Sequence, residues 1–130
     1  MLLGIAAFAG TTPNAAVLKT FNEKFPTATN VKWGMENKTE YEADFKVDGK
    51  ILSANFKDDG SWVVTESGVT PKALPVAIGD YITKNLPGAE IKETAKLEMP
   101  GGLVNYEIEI KGADYIFDAD GKFIKKSEDD

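Results

Sequence analysis

The chain of 130 residues contains no cysteine and no histidine, and all 15 of its basic residues are lysine. Without Cys or His, thiol chemistry, Ser-His-Asp catalysis and zinc sites built on imidazole or thiolate are excluded. Without Arg there is no bidentate guanidinium fork for phosphates or carboxylates. Long apolar runs are also missing. The stretch Leu2 to Ala9 is too short to cross a bilayer. Positive charge is in deficit, with 15 Lys against 21 Asp and Glu, a net charge of −6 and a pI near 4.7. That sign opposes phosphate backbones and anionic lipid, so nucleic acid is excluded as a partner.

What is present describes a folded globule. Hydrophobic residues make up 42% of the chain and aromatics 10%. A chain of this length buries roughly two-thirds of its unfolded surface, which supplies a core without disulfide or metal staples. Residues 1–10 carry the apolar run and end in Ala7-Phe8-Ala9-Gly10, the small-x-small form of a secretory cleavage site. They read as the remnant of a signal peptide or as an ordinary terminus.

From Thr12 the hydrophobic period is informative. Thr12-Pro13 followed by Val17, Leu18, Phe21 and Phe25 predicts a helix with Thr at the N-cap and Pro in its first turn, ended by Pro26. The period then changes to two. Val31, Trp33 and Met35 alternate, and Tyr41, Ala43, Phe45 and Val47 alternate with Glu42, Asp44 and Lys46, which predicts strands with one dry and one wet face. Asp48-Gly49 turns the chain into Ile51–Phe56, and Lys57-Asp58-Asp59-Gly60 turns it again into Trp62–Thr65.

The same programme then restarts. Thr70-Pro71 opens a second helix carrying Leu74, Ile78, Tyr81 and Ile82, which stops at Leu86-Pro87-Gly88. Phe25-Pro26-Thr27-Ala28 matches Leu86-Pro87-Gly88-Ala89, and Tyr41-Glu42-Ala43-Asp44-Phe45 matches Tyr106-Glu107-Ile108-Glu109-Ile110. Phe56 to Trp62 matches Phe117 to Phe123 around a shared acidic Gly turn. The expectation is an α+β fold of two tandem helix-plus-antiparallel-sheet repeats, residues 11–67 and 68–126, with the helices on one face and a loose acidic tail at 127–130.

Helix, L/F-P-x-A, a strand opening Y-E-x-[DE]-[FI], and an aromatic ahead of D-x-[DA]-G together resemble the PepSY-like family of secreted bacterial proteins. The resemblance runs from Pro13 to Lys126 and is clearest in the second copy. Tandem members of that family are similar in architecture to the β-lactamase inhibitor fold. The resemblance implies a periplasmic or extracellular, non-enzymatic, regulatory or inhibitory protein-binding role, and it brings no catalytic residues with it.

Two constellations invite chemistry. Asp58-Asp59-Gly60 and Asp118-Ala119-Asp120-Gly121 could be pieces of a calcium loop, but no bidentate Glu follows and Asp-Gly suits a hairpin turn on conformational grounds. No metal and no cofactor are expected. Glu42 with Asp44 and Glu107 with Glu109 place carboxylates two apart on one strand face, the raw material of a glycan hydrolase. Solvated alternation explains them as well, with Lys46 and Lys111 as neutralising neighbours, so they read instead as a charged surface. With Trp33 and Trp62 as aromatic anchors, the candidate interface is Trp33, Trp62, Glu42, Asp44, Glu107 and Glu109.

The leading reading is therefore an exported protein-binding module, a monomer or weak dimer, with a protein or peptide partner. Its rivals are a small-ligand carrier or envelope sensor using the space between the repeats, and, further off, the carboxylate-only hydrolase.

Overall fold

The computed structural model describes residues 11–128, so the reading of residues 1–10 as a signal remnant lies outside the described residues. Eight β-strands and two α-helices make an α+β fold. The chain divides into two compact units. One holds residues 11–67 with 99–101, and the other holds residues 68–98 with the segment from 102 onward.

In the amino-terminal unit, α1 (Ala15–Lys24) precedes β1 (Thr29–Met35), β2 (Glu40–Val47), β3 (Lys50–Lys57) and β4 (Trp62–Gly68), with neighbours in sequence order. The pairs β1–β2, β2–β3 and β3–β4 are antiparallel. Alternation decides what meets the helix. Val17 and Phe21 of α1 pack with Ala43 and Phe45 of β2 and Ala54 and Phe56 of β3, all buried. Phe21 is the hub, with its ring 5.0 Å from Phe45, 5.1 Å from Trp33 and 6.1 Å from Phe56 in edge-on contacts. Such pairs add roughly 0.5–1.5 kcal/mol each beyond the area they bury.

The carboxy-terminal unit has the same order of elements: α2 (Val76–Asn85), β5 (Glu93–Met99), β6 (Leu103–Ile110), β7 (Ala113–Asp118) and β8 (Phe123–Glu128). Its core is more aliphatic. Ile78 and Ile82 pack with Ile108, Ile110, Ala113, Tyr115 and Phe117. Tyr41 and Tyr106, expected on the helix-facing side, are packed against their respective clusters.

Three local details differ from the sequence expectation. Helix α1 is capped by Asn14 and not by Thr12, because the Asn14 carboxamide oxygen accepts the Val17 amide at 3.0 Å while its Nδ2 donates to the Asp58 carbonyl at 2.9 Å. One side chain thus closes the helix and ties it to the β3–β4 turn. Helix α2 does not start at Thr70-Pro71, since Pro71–Ala73 forms a single 3-10 turn and Pro75 resets the chain before Val76. Finally, Ser127 and Glu128, expected in a loose tail, pair with Asp114 and Ala113 in β8; Asp129 and Asp130 lie outside the described residues.

The acidic Gly turns explain why these positions hold glycine. Gly60 (φ +90°) and Gly121 (φ +87°) both take the left-handed conformation expected of a bulged hairpin. Each also lies against the start of a helix. A Cβ on Gly60 would sit 2.8 Å from the Ala16 carbonyl oxygen, and one on Gly121 would sit 2.7 Å from Ala77 Cβ. Gly49 has a similar φ of +79° but open space around it. Gly60→Ala and Gly121→Ala should therefore each destabilise the fold by more than the roughly 1–3 kcal/mol that left-handed strain alone costs, whereas Gly49→Ala should stay within it. Urea unfolding of the three variants checks this, and equal losses would contradict the close-approach argument.

Candidate functional site

Strand β2 carries the sequence-predicted acids, and the face they share is not wet. Glu42 is 1% exposed and Asp44 8%, although Lys46 further along the same face is exposed. The expected solvated alternation is thus corrected to a sealed polar face. Register supplies their neighbours. Glu42 lies across from Gly34 of β1 and Asn55 of β3, and Asp44 across from Lys32 and Ser53. On the next strand Ser53 faces Glu66, which is also buried. Lys111, expected to neutralise the matching acids, instead stands in the β6–β7 turn with φ +52°.

The electrostatics of Glu42 follow from this placement. The Ser53 hydroxyl donates to Glu42 Oε2 at 2.8 Å. Glu42 Oε1, Asp44 Oδ1 and Asn55 Oδ1 accept no hydrogen bond among the described residues. Two ionised carboxylates cannot satisfy one another, since both only accept. A proton on Glu42 converts the contact with Asp44 into a hydrogen bond. Burial, then the hydrogen bonds with Asp44 and Glu36, push the Glu42 carboxyl from 4.5 up to about 9, against a smaller opposing effect of Ser53. Glu42 is therefore a neutral acid at pH 7, able to donate to Asp44.

In the carboxy-terminal unit, Glu107 is buried and Glu109 half-buried, with Glu107 across from Ile116 and Glu109 across from Asp114, itself 4% exposed. The two tryptophans lie on the helix-facing side of β1 and β4. Trp33 is half-buried against Phe21 and Phe56. Trp62 is half-buried, donates its indole N–H to Thr65 Oγ1 at 2.9 Å, and carries the Lys24 ammonium 3.7 Å from its ring. The structure thus brings Glu42 and Asp44 together and sets the tryptophans on the opposite face from them.

Sequence reasoning missed Ser53, Asn55, Glu66 and Asp114. The signal was the alternation of Ser53 and Asn55 with Leu52, Ala54 and Phe56, which marks a polar row running across β2 and β3. The acidic turns hold their own backbone: Asp118 Oδ1 accepts the amides of Asp120 and Lys122 at 2.9 Å each, and Asp59 Oδ1 accepts the Ser61 amide at 2.8 Å. The Asp59 carboxyl is accordingly lowered, chiefly by Ser61. Among the described residues, no group of three or more acidic residues is arranged to hold a metal ion.

A pH dependence follows from Glu42. Below pH 4.5 the carboxyl is protonated folded or unfolded; between 4.5 and about 9 only the unfolded chain releases the proton. The raised folded-state pKa therefore favours the native state least at high pH, and stability falls as pH climbs through this window. In Glu42→Gln the carboxamide can still accept from Ser53 and donate to Asp44, with no proton to lose. The variant should match wild type near pH 4 and melt at a higher temperature near pH 8. Parallel melting curves across pH for the two proteins would contradict the assignment.

Comparison with known proteins agrees with this architecture. No curated protein matches the chain at a significant level. Among solved structures, a DUF2874 family protein from Bacteroides ovatus superimposes with a TM-score of 0.79 at 20% identity, covering 92% of this chain and 89% of that one. A protein from Bacteroides eggerthii described as periplasmic gives 0.78 at 18% identity, covering 91% and 90%. A BLIP-like protein from Bacteroides fragilis gives 0.76 at 20% identity, covering 92% and 89%. At these identities the likeness is one of fold. The family model described as beta-lactamase-inhibitor-like and PepSY-like matches residues 39–125. Two-thirds of the sequence thus fits that model, and the chain belongs to the PepSY-like, β-lactamase-inhibitor-like family.

Proposed function

We propose that the chain is an exported, non-enzymatic protein-binding module built as a tandem repeat, residues 11–67 and 68–126. The single observation that carries the non-enzymatic reading is the use made of Glu42. The carboxyl with the raised pKa, the property a general acid needs, is 1% exposed and held by Ser53 and Asp44. It serves packing, with no surface offered to a glycan.

Duplication is supported by local detail. Both helices end on a C-cap whose amide returns to the residue four before, Phe25 to Phe21 and Leu86 to Ile82. Both acidic turns close with the same pair of backbone hydrogen bonds, Lys57 N to Ser61 O with Gly60 N to Lys57 O, and Asp118 N to Lys122 O with Gly121 N to Asp118 O. Membership of an inhibitor-like family supports a protein as the partner, and likeness to a protein described as periplasmic supports export.

Of the candidate contacts, Trp33, Trp62 and Glu109 retain exposed surface. Glu42, Asp44 and Glu107 are buried and offer a partner no contact. Trp62 is the anchor, because its ring is already oriented by Thr65 and Lys24 and would lose little side-chain entropy on binding. Full-length protein immobilised and passed over native envelope extract should retain a defined partner that Trp62→Ala loses, with circular dichroism confirming that the variant is folded. Trp33→Ala is the weaker test, since Trp33 also packs on Phe21. Equal recovery by wild type and folded Trp62→Ala would remove the tryptophan contact.

A further inference from the structure

The Leu86-Pro87-Gly88-Ala89 segment, a structural signature in the sequence, also forms one wall of a cavity of about 230 Å3. Ile110 and Ala113 add apolar wall, and Lys111, Tyr115, Lys126 and Glu128 complete the lining. Every one of these residues belongs to the carboxy-terminal unit, so the cavity lies within one unit and not in the space between repeats that the sequence reading considered.

Its origin can be read from the other unit. There the helix C-cap is Phe25, and the fifth residue of the matched Y-E-x-[DE]-[FI] stretch is Phe45, with ring centroids 4.7 Å apart. The corresponding residues here are Leu86 and Ile110. Two aliphatic side chains occupy less volume than two rings, and packed interiors do not fill such a deficit by relaxing completely. The smaller side chains add to the open space at this end of the unit.

The charges around it are uneven. Lys126 Nζ is 3.2 Å from Glu128 Oε1 and 5.6 Å from the Tyr115 ring centre, so its charge is partly answered. Lys111 is exposed and forms no ion pair among the described residues. It is held in place by a left-handed turn with Gly112, φ +52° and +76°. In a chain of net charge −6 this is a local cation beside an apolar hollow.

We propose that this cavity binds small monocarboxylates with a compact aliphatic or aromatic body, the body against Leu86, Ala89, Ile110 and Ala113 and the carboxylate against Lys111. The volume lies below the roughly 300–1,000 Å3 of sites for drug-sized ligands, which restricts the occupant to small acids. The inference does not depend on the protein-binding reading, because it uses none of that reading's residues.

The test uses full-length protein with benzoate as probe, benzyl alcohol as its uncharged analogue and benzylamine as its cationic one. The readout is the methyl resonances of Leu86, Ala89, Ile110 and Ala113. Benzoate should shift these methyls saturably and bind about two- to fivefold more tightly than benzyl alcohol, the size of one exposed charge contact. Lys111→Gln should reduce benzoate to the affinity of the alcohol without changing the alcohol's own. Leu86→Phe, which restores the ring found in the other unit, should abolish saturation by both; should it not fold, the Lys111→Gln comparison decides alone. No saturable shift with benzoate, benzylamine binding as tightly as benzoate, or unchanged benzoate affinity in Lys111→Gln would each overturn the proposal.

Discussion

Each unit depends on one ten-residue helix covering one face of a small antiparallel sheet, and the period-two alternation of the strands determines which side chains that face contains. In the amino-terminal unit the odd positions of β2 meet Phe21, and the even positions, Glu42 and Asp44, are sent to the other side. Because Phe21 contacts rings from three strands and from its own helix, removing that face from water fixes the helix, the register and the orientation of the acids together. A one-residue slip would bring the carboxyls of Glu42 and Asp44 among the rings around Phe21, where Ser53 no longer reaches Glu42 and burial of unpaired polar groups is costly.

The glycine turns make this arrangement precise. Hydrophobic contact alone would let a short helix slide along the sheet. The β3–β4 turn meets the first turn of α1 at Gly60 and binds its cap through Asn14, and the β7–β8 turn meets α2 at Gly121. Directional contact at one end and apolar contact along the length together leave the helix a single position. An acidic side chain holds the backbone of each turn, Asp59 accepting the Ser61 amide in the first and Asp118, three residues before Gly121, accepting the Asp120 and Lys122 amides in the second.

Sealing the polar face gives the protein its least expected chemistry, a glutamic acid kept neutral at pH 7. Such a group resembles the acid of a hydrolase in its pKa and differs from it in access. A perturbed carboxyl points to function only where substrate can reach it. The two units differ in what fills their cores, with more rings in the first and more aliphatic side chains in the second, and the second carries a cavity beside Lys111.

Much of the fold could be read from residue order alone. The two helices, the strands around Tyr41–Phe45 and Tyr106–Ile110, the bulged Gly turns and the packing of Tyr41 and Tyr106 against the core clusters all follow from period, turn chemistry and local sterics, which act between residues near in sequence. The helix starts were less legible, because Asn14 outcompetes Thr12 only when the Asp58 carbonyl is there to hold it, and Asp58 is 44 residues away. The candidate acids were legible as residues and misjudged as environment. Alternation states which face a side chain takes, and it is silent on whether water reaches that face. Burial of Glu42 and the cavity lined by Leu86 and Lys111 depend on atoms brought together from distant parts of the chain, so only the tertiary structure could decide them.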